Sequence, residues 1–110
     1  DGARKGELLG TTFDPENIPE KLVSWDGLAL DGNYIRVAQT IDVNAAIDKY
    51  KKPVLIVHGA KDDTVPLECS KEYAKRYNNC KLVITPEDGH CFEHNIDMVT
   101  EAISEFLSEL

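Results

Sequence analysis

The stretch from Pro53 to Pro66 limits most strongly what this chain can fold into. Val54 to Val57 are four consecutive apolar residues, three of them β-branched, with a glycine turn at Gly59 behind them. A half-exposed strand would alternate apolar and polar residues, so this run predicts a strand buried on both faces of a parallel sheet. Asp62 and Asp63 follow where such a strand leaves the sheet, which is where ligands and catalytic groups collect in α/β folds.

The apolar period after residue 52 predicts the order β-α-β-α. A helix over 67–77 keeps its apolar residues on one side, and a second apolar strand covers 80–85. The last helix begins near Asn95 and carries one apolar stripe to the C-terminus. Two strands joined by one helix form a right-handed crossover, so they are expected to be parallel, with their carboxyl ends at one edge.

That edge is predicted to bring Asp62 and His90 together, since neighbouring strands lie only about 5 Å apart. A carboxylate that accepts a hydrogen bond from one imidazole nitrogen fixes the tautomer and leaves the other nitrogen to deprotonate a hydroxyl. In one large fold the order along the chain is serine, then acid, then histidine, and the last two occur here in that order.

Two segments resemble the α/β-hydrolase family. Pro-Val-Leu-Ile-Val-His-Gly-Ala-Lys-Asp-Asp-Thr-Val-Pro, from Pro53 to Pro66, is similar to its acid strand and loop, and Gly-His-Cys-Phe, from Gly89, is similar to its histidine loop. The resemblance covers residues 53–110 and implies Asp62 as catalytic acid and His90 as base, with Asp63 at a variable position. It implies the C-terminal β-α-β-α part of an α/β-hydrolase parallel sheet and a serine esterase that needs no cofactor and no metal.

The first part of the chain reads differently. Asp26 and Gly27 between two apolar runs predict a β-hairpin with a two-residue type I′ turn, and helical spacing behind Asn33 predicts a short helix with that residue as its N-cap. A second short helical piece is predicted over 45–50. This region resembles the end of the cap inserted in the bacterial feruloyl or cinnamoyl esterase-like branch, which implies residues 1–50 as a cap or lid-like segment and 51–110 as hydrolase core.

In that branch the cap covers the acyl pocket. The resemblance therefore implies Phe13, Trp25 and Tyr34 as candidates to line a substrate pocket. The alternative is that these aromatic side chains pack the cap segment on itself.

The chain departs from the family in two respects. It has no Gly-x-Ser-x-Gly, and none of its four serines has the glycine-flanked turn that exposes a nucleophile. The strands that form the oxyanion hole in the family, and the helices that precede them, have no counterpart in it either. The chain is therefore expected to be a C-terminal fragment, inactive alone. Its expected partners are a missing N-terminal core portion and, in the parent enzyme, a small-molecule ester.

The sequence allows three other interpretations. A receiver-type domain could use Asp62 and Asp63 to bind Mg²⁺, but it needs about five strands where two are evident. A non-catalytic fragment could form a homo-oligomer through its sheet edge. The spacing of His90 and His94 suits zinc on a helix, but Gly89 places His90 before the helix and no third ligand follows, so no metal is expected.

Charge and cysteine content exclude further classes. A net charge of -8 and a pI near 4.7 argue against binding to nucleic acid or an anionic membrane. Three cysteines without a CxxC spacing predict reduced thiols and a cytoplasmic protein, although an export signal could lie upstream of Asp1. His58, at the end of the apolar strand, is interpreted as structural.

Overall fold

The computed structural model describes residues 2–110 and divides into two compact units. The first ends at Asp42, and the second is Val43–Leu110. Each unit is considered by itself.

The first unit has two short helices and two antiparallel strand pairs. Along the chain these are α1 (Gly2–Lys5), β1 (Glu7–Leu8), β2 (Thr11–Thr12), β3 (Lys21–Val23), β4 (Ala29–Asp31) and α2 (Gly32–Thr40). Strand β1 pairs with β2, and β3 with β4. The core consists of Ala3, Leu22 and Ile35, of which Ile35 is fully buried.

The predicted hairpin is present as β3 and β4, but the predicted two-residue turn is wrong. Val23 pairs with Ala29, so residues 24–28 connect the strands, and of the two turn residues only Gly27 has a positive φ, 84°. The buried Ser24 hydroxyl donates to a carboxylate oxygen of Asp26, which gives the wider loop an internal hydrogen bond. The Gly27 N–H donates to the Ser24 carbonyl at 3.0 Å and the Ser24 N–H donates to the Leu28 carbonyl at 2.9 Å, so backbone hydrogen bonds close this turn without the type I′ conformation.

A tight turn that the sequence reading did not find joins β1 and β2. Leu9 and Gly10 connect the strands with φ values of 50° and 71°. The N-cap of α2 also differs from the prediction. It is Asp31, whose carboxylate accepts the backbone N–H of Asn33 at 2.8 Å.

The second unit has the predicted α/β order. It contains α3 (Val43–Lys49), β5 (Val54–Gly59), α4 (Leu67–Arg76), β6 (Cys80–Thr85) and α5 (Ile96–Ser108). Strands β5 and β6 are parallel neighbours whose register runs from Val54 opposite Cys80 to Gly59 opposite Thr85. The predicted parallel pairing of two neighbouring strands joined by a helix is confirmed.

Helices α4 and α5 both pack against β5 and β6, and α3 packs against α4. Arg76 of α4 donates to both carboxylate oxygens of Asp48 in α3, at 2.8 and 2.7 Å. Helix α3 therefore packs within the second unit. The assignment of residues 1–50 to a cap remains a prediction.

The expectation that Val54 to Val57 would be buried on both faces is wrong, since all four are half-buried. Within residues 2–110 the parallel sheet has two strands, and α4 and α5 cover it only in part. The longest helix of that range, α5, has 13 residues, and none is long and apolar enough to cross a membrane.

Candidate active site

Two loops leave the carboxyl ends of β5 and β6 side by side. Backbone pairing continues past the strands, because Ala60 N–H donates to Thr85 and Lys61 N–H donates to Asp88, both at 2.9 Å. A Cβ at Gly59 would collide with the carbonyl oxygens of Asp88 and Gly89. The absence of a side chain at residue 59 is what allows the loops to approach so closely.

The acid loop, residues 60–66, holds the Asp62 side chain with only 6% of its surface exposed. Oδ1 accepts the backbone N–H groups of Thr64 at 2.9 Å and Val65 at 2.8 Å, and Oδ2 lies 3.0 Å from His90 Nδ1. The Val65 N–H and then the His90 side chain lower the pKa of Asp62 from 3.8 to about 2. Asp62 is therefore ionised at neutral pH.

The histidine loop, residues 86–95, presents His90 with 52% of its side chain exposed. Because a carboxylate oxygen only accepts, His90 Nδ1 carries the proton that is shared with Asp62. In the neutral imidazole Nε2 is then unprotonated and can remove a proton from a hydroxyl. The structure thus brings together the two side chains that the sequence predicts to meet.

The Asp88 side chain connects the histidine loop to the start of α5 by hydrogen bonds. Its side chain is fully buried, and Oδ1 accepts the backbone N–H groups of His94 at 2.7 Å and Asn95 at 3.0 Å. Burial is the largest influence on the pKa of Asp88 and raises it, but the His94 and Asn95 N–H groups, Thr85 and the His94 side chain together leave this pKa below its ordinary value. Phe92 in the same loop has a φ of 55°, a backbone region that favours glycine.

His90 and His94 face different carboxylates and do not form the zinc pair considered from their spacing. His94 Nδ1 lies 3.8 Å from Asp88 Oδ1, whereas His90 faces Asp62. Within residues 2–110 the candidate metal-binding atoms of Asp88, Glu93 and His94 lie within 4.8 Å of one another. Asp88 Oδ1 already accepts two backbone N–H groups there, and these hydrogen bonds explain why a carboxylate lies at this position of the loop.

A cavity of about 200 Å³ opens beside the Asp62–His90 pair. It is lined by Val57, His58, Asp62, Val65, His90 and Phe92. Apolar walls next to an acid and a base suit a small organic substrate.

Asp63, ranked second as acid, is exposed, and its closest hydrogen bond is from the Thr64 hydroxyl at 3.4 Å. It does not cap α4, whose N-cap is Pro66 without a side-chain hydrogen bond. Both oxygens of Asp62 accept N–H groups, which argues against the Mg²⁺-binding alternative.

The three aromatic residues considered for a substrate pocket lie in the first unit. Phe13 packs against its core. Trp25 and Tyr34 are 81% and 59% exposed. Their predicted role in lining a substrate pocket remains a prediction.

The sequence reading did not assign Gly59 or the N–H groups of Thr64 and Val65 to the site. A signal for Gly59 was available, since a glycine directly between a buried strand and an acidic loop often marks close backbone approach. No sequence signal distinguishes Thr64 and Val65, because every residue there would supply a backbone N–H.

A family model described as TAP-like protein, of the Abhydrolase_4 group, matches residues 31–110. The chain belongs to the α/β-hydrolase family. The predicted resemblance and the predicted fold class are both confirmed, and two solved structures agree with them.

The first solved structure is Est1E from Butyrivibrio proteoclasticus, with 60% sequence identity to this hydrolase chain and a TM-score of 0.94. The match covers 97% of this chain and 44% of Est1E. The second, Est1E with ferulic acid bound, gives a TM-score of 0.92 at the same identity and covers 97% and 43%. The chain therefore resembles the feruloyl esterase-like branch and spans less than half of Est1E.

Two curated relatives are more distant. RutD of Caulobacter sp. (strain K31), whose name gives carbamate hydrolysis as its candidate activity, is 36% identical over 58 residues, or 53% of this hydrolase chain and 22% of RutD. YqkD of Bacillus subtilis (strain 168) is 24% identical over 98 residues, or 82% of this chain and 32% of YqkD. The chain spans less than a third of either relative.

Proposed function

We propose that this chain is the C-terminal part of a serine carboxylic ester hydrolase in which Asp62 and His90 are the acid and base of a Ser-Asp-His triad. The observation that carries the proposal is the 3.0 Å contact of Asp62 Oδ2 with His90 Nδ1 at the joined ends of β5 and β6. Similarity to Est1E, solved with ferulic acid bound, supports hydroxycinnamoyl esters as the substrate class.

In this mechanism the ionised Asp62 orients the imidazole and stabilises the imidazolium that forms on His90. His90 Nε2 removes the proton of a serine hydroxyl while the serine oxygen bonds to the ester carbonyl carbon. When the C–O bond to the alcohol breaks, His90 returns the proton to the departing oxygen. A water molecule then releases the acid from the acyl-enzyme by the same proton transfers.

The serine is proposed to come from the N-terminal core portion of the same enzyme. Within residues 2–110 three of the four serines make other hydrogen bonds: Ser24 with Asp26, Ser108 with the Glu105 carbonyl, and Ser70, whose hydroxyl lies 2.7 Å from His58 Nδ1. The 110-residue chain alone is therefore expected to hydrolyse no ester.

The test is ester turnover by the full protein encoded with this chain, with methyl ferulate as substrate. Asp62→Asn is expected to lower kcat about 10⁴-fold, because the amide cannot hold His90 in the required tautomer. His90→Ala is expected to cause a loss at least as large. Asp63→Asn is the matched control, since Asp63 is exposed, and it should keep normal kcat. Near-normal turnover in Asp62→Asn would remove Asp62 from the triad.

A second candidate function rests on the half-buried Val54 to Val57 in a two-stranded sheet. Such a surface can pair with another chain, so a non-catalytic fragment could form a homo-oligomer. Light scattering of the 110-residue chain separates the candidates. A discrete oligomer, together with no turnover by the full protein, would favour this second function.

A further inference from the structure

His58 is a buried histidine that the proposed mechanism does not use. It is the fifth residue of β5 and is only 7% exposed. Its Nε2 atom lies 3.0 Å from the Val65 carbonyl oxygen and 3.4 Å from Asp62 Oδ2. Both neighbours only accept hydrogen bonds, so Nε2 must carry a proton.

The other nitrogen of His58 faces α4. Nδ1 lies 2.7 Å from the Ser70 hydroxyl oxygen, and the hydroxyl donates to it when the imidazole is neutral. Ser70 thus favours the same tautomer that the two acceptors at Nε2 require. The ring is held at both ends, by a helix on one side and by the acid loop on the other.

Val65 connects His58 to the acid–base pair. The Val65 carbonyl accepts from His58, while the Val65 N–H donates to Asp62 Oδ1 at 2.8 Å. Asp62 Oδ2 in turn contacts His90. Contacts therefore run from α4 through His58 to Asp62, both through Val65 and directly at 3.4 Å, and from Asp62 to His90.

We propose that His58 is a positioning residue, which holds the acid loop so that Asp62 Oδ2 points at His90. His58 acts through Val65 and the carboxylate and transfers no proton in the reaction. The catalytic consequence rests on the function proposed above, but the orientation of His90 does not, and the two can be measured separately.

The first measurement uses the 110-residue chain labelled with ¹⁵N, because imidazole nitrogen shifts distinguish the Nδ1–H from the Nε2–H tautomer. The wild-type His90 should be mainly the Nδ1–H tautomer. His58→Leu fills a similar volume without donor or acceptor and should move His90 toward the Nε2–H tautomer. His58→Gln, which keeps an N–H near the position of Nε2, should restore much of the wild-type signal.

The second measurement is ester hydrolysis by the full protein. His58→Leu should lower kcat about 10- to 100-fold, a size typical of residues that orient a reacting group, with little change in KM. His58→Gln should recover a substantial part of that loss. His94→Leu is the matched control, since its side chain is 67% exposed and lies outside the contacts from α4 to His90; it should change neither measurement.

The outcomes separate the two proposals. Wild-type His90 tautomer and wild-type kcat in His58→Leu would overturn the positioning role. Turnover that Asp62→Asn does not change would overturn the proposed function, while the tautomer measurement would still decide the role of His58. If His58→Leu does not fold, Ser70→Ala replaces it, and a shift in the His90 tautomer in the same direction is required.

Discussion

The acid loop and the histidine loop meet at one edge of the same sheet, yet they hold their functional side chains in different ways. Asp62 is 6% exposed and accepts two backbone N–H groups in addition to His90, whereas the His90 side chain is 52% exposed and its hydrogen bond is to Asp62. Backbone N–H groups of its own loop hold the Asp62 side chain in place, whereas the His90 side chain is oriented mainly by its contact with Asp62. In the proposed mechanism His90 must reach the substrate, which its exposure allows, whereas Asp62 must stay ionised and fixed in place, which its two N–H donors favour.

One glycine lies near the contact on each side, Gly59 at the end of β5 and Gly89 in the histidine loop, and the largest expected effect on stability comes from comparing their substitutions. Gly59→Ala should destabilise the second unit by roughly 1–3 kcal/mol, the usual cost of forcing atoms into a packed site, because the new Cβ meets two backbone carbonyl oxygens. Urea denaturation of the 110-residue chain measures it.

Gly89→Ala is the control from the histidine loop. Its Cβ would meet Glu93 Oε2 at 3.7 Å and the Lys61 carbonyl oxygen at 3.9 Å, which are ordinary contacts. It should be much less destabilising than Gly59→Ala. Equal losses from the two substitutions would mean that close approach at residue 59 does not hold the loops together.

The pH dependence of the free energy of unfolding tests how strongly the acid loop stabilises the ionised Asp62. The pKa of Asp62 is lowered from 3.8 to about 2 in the folded chain, so its stabilising effect is present above pH 3.8 and is lost as the pH falls through about 2. The difference in stability between wild type and Asp62→Asn should therefore shrink between pH 4 and pH 2. Urea midpoints measured at several pH values show it.

His90→Ala tests which of the two loops is responsible for the pH-dependent stabilisation by Asp62. It removes the His90 contact but keeps the Val65 N–H, which is the largest cause of the low Asp62 pKa. Much of the acid dependence should remain in this variant. Complete loss of the dependence would show that the acid loop does not hold its carboxylate independently.

The smallest effect is expected from the ion pair between Lys61 and Glu87, which also joins the two loops. Both side chains are largely exposed, and exposed ion pairs contribute little because water and salt screen them. Lys61→Met should leave the urea midpoint almost unchanged, in low and in high salt. A loss as large as that of Gly59→Ala would mean that charge, and not backbone pairing, joins the loops.

Much of the second unit could be predicted from the sequence. Four consecutive apolar residues, a helical stripe and a second apolar strand determine β-α-β-α order, because burial and period are local properties of the chain. The crossover rule then places Asp62 near His90, as found in the structure. The similarity to α/β-hydrolases was also visible in the residues around Asp62 and His90.

Only the tertiary structure determines how deeply the strands are buried and which contacts position the side chains of the site. Val54 to Val57 are half-buried because only α4 and α5 cover the sheet within residues 2–110. The contact of His58 with the acid loop likewise depends on where α4 places Ser70. Such contacts join residues that are distant in sequence, and a local pattern carries no record of them.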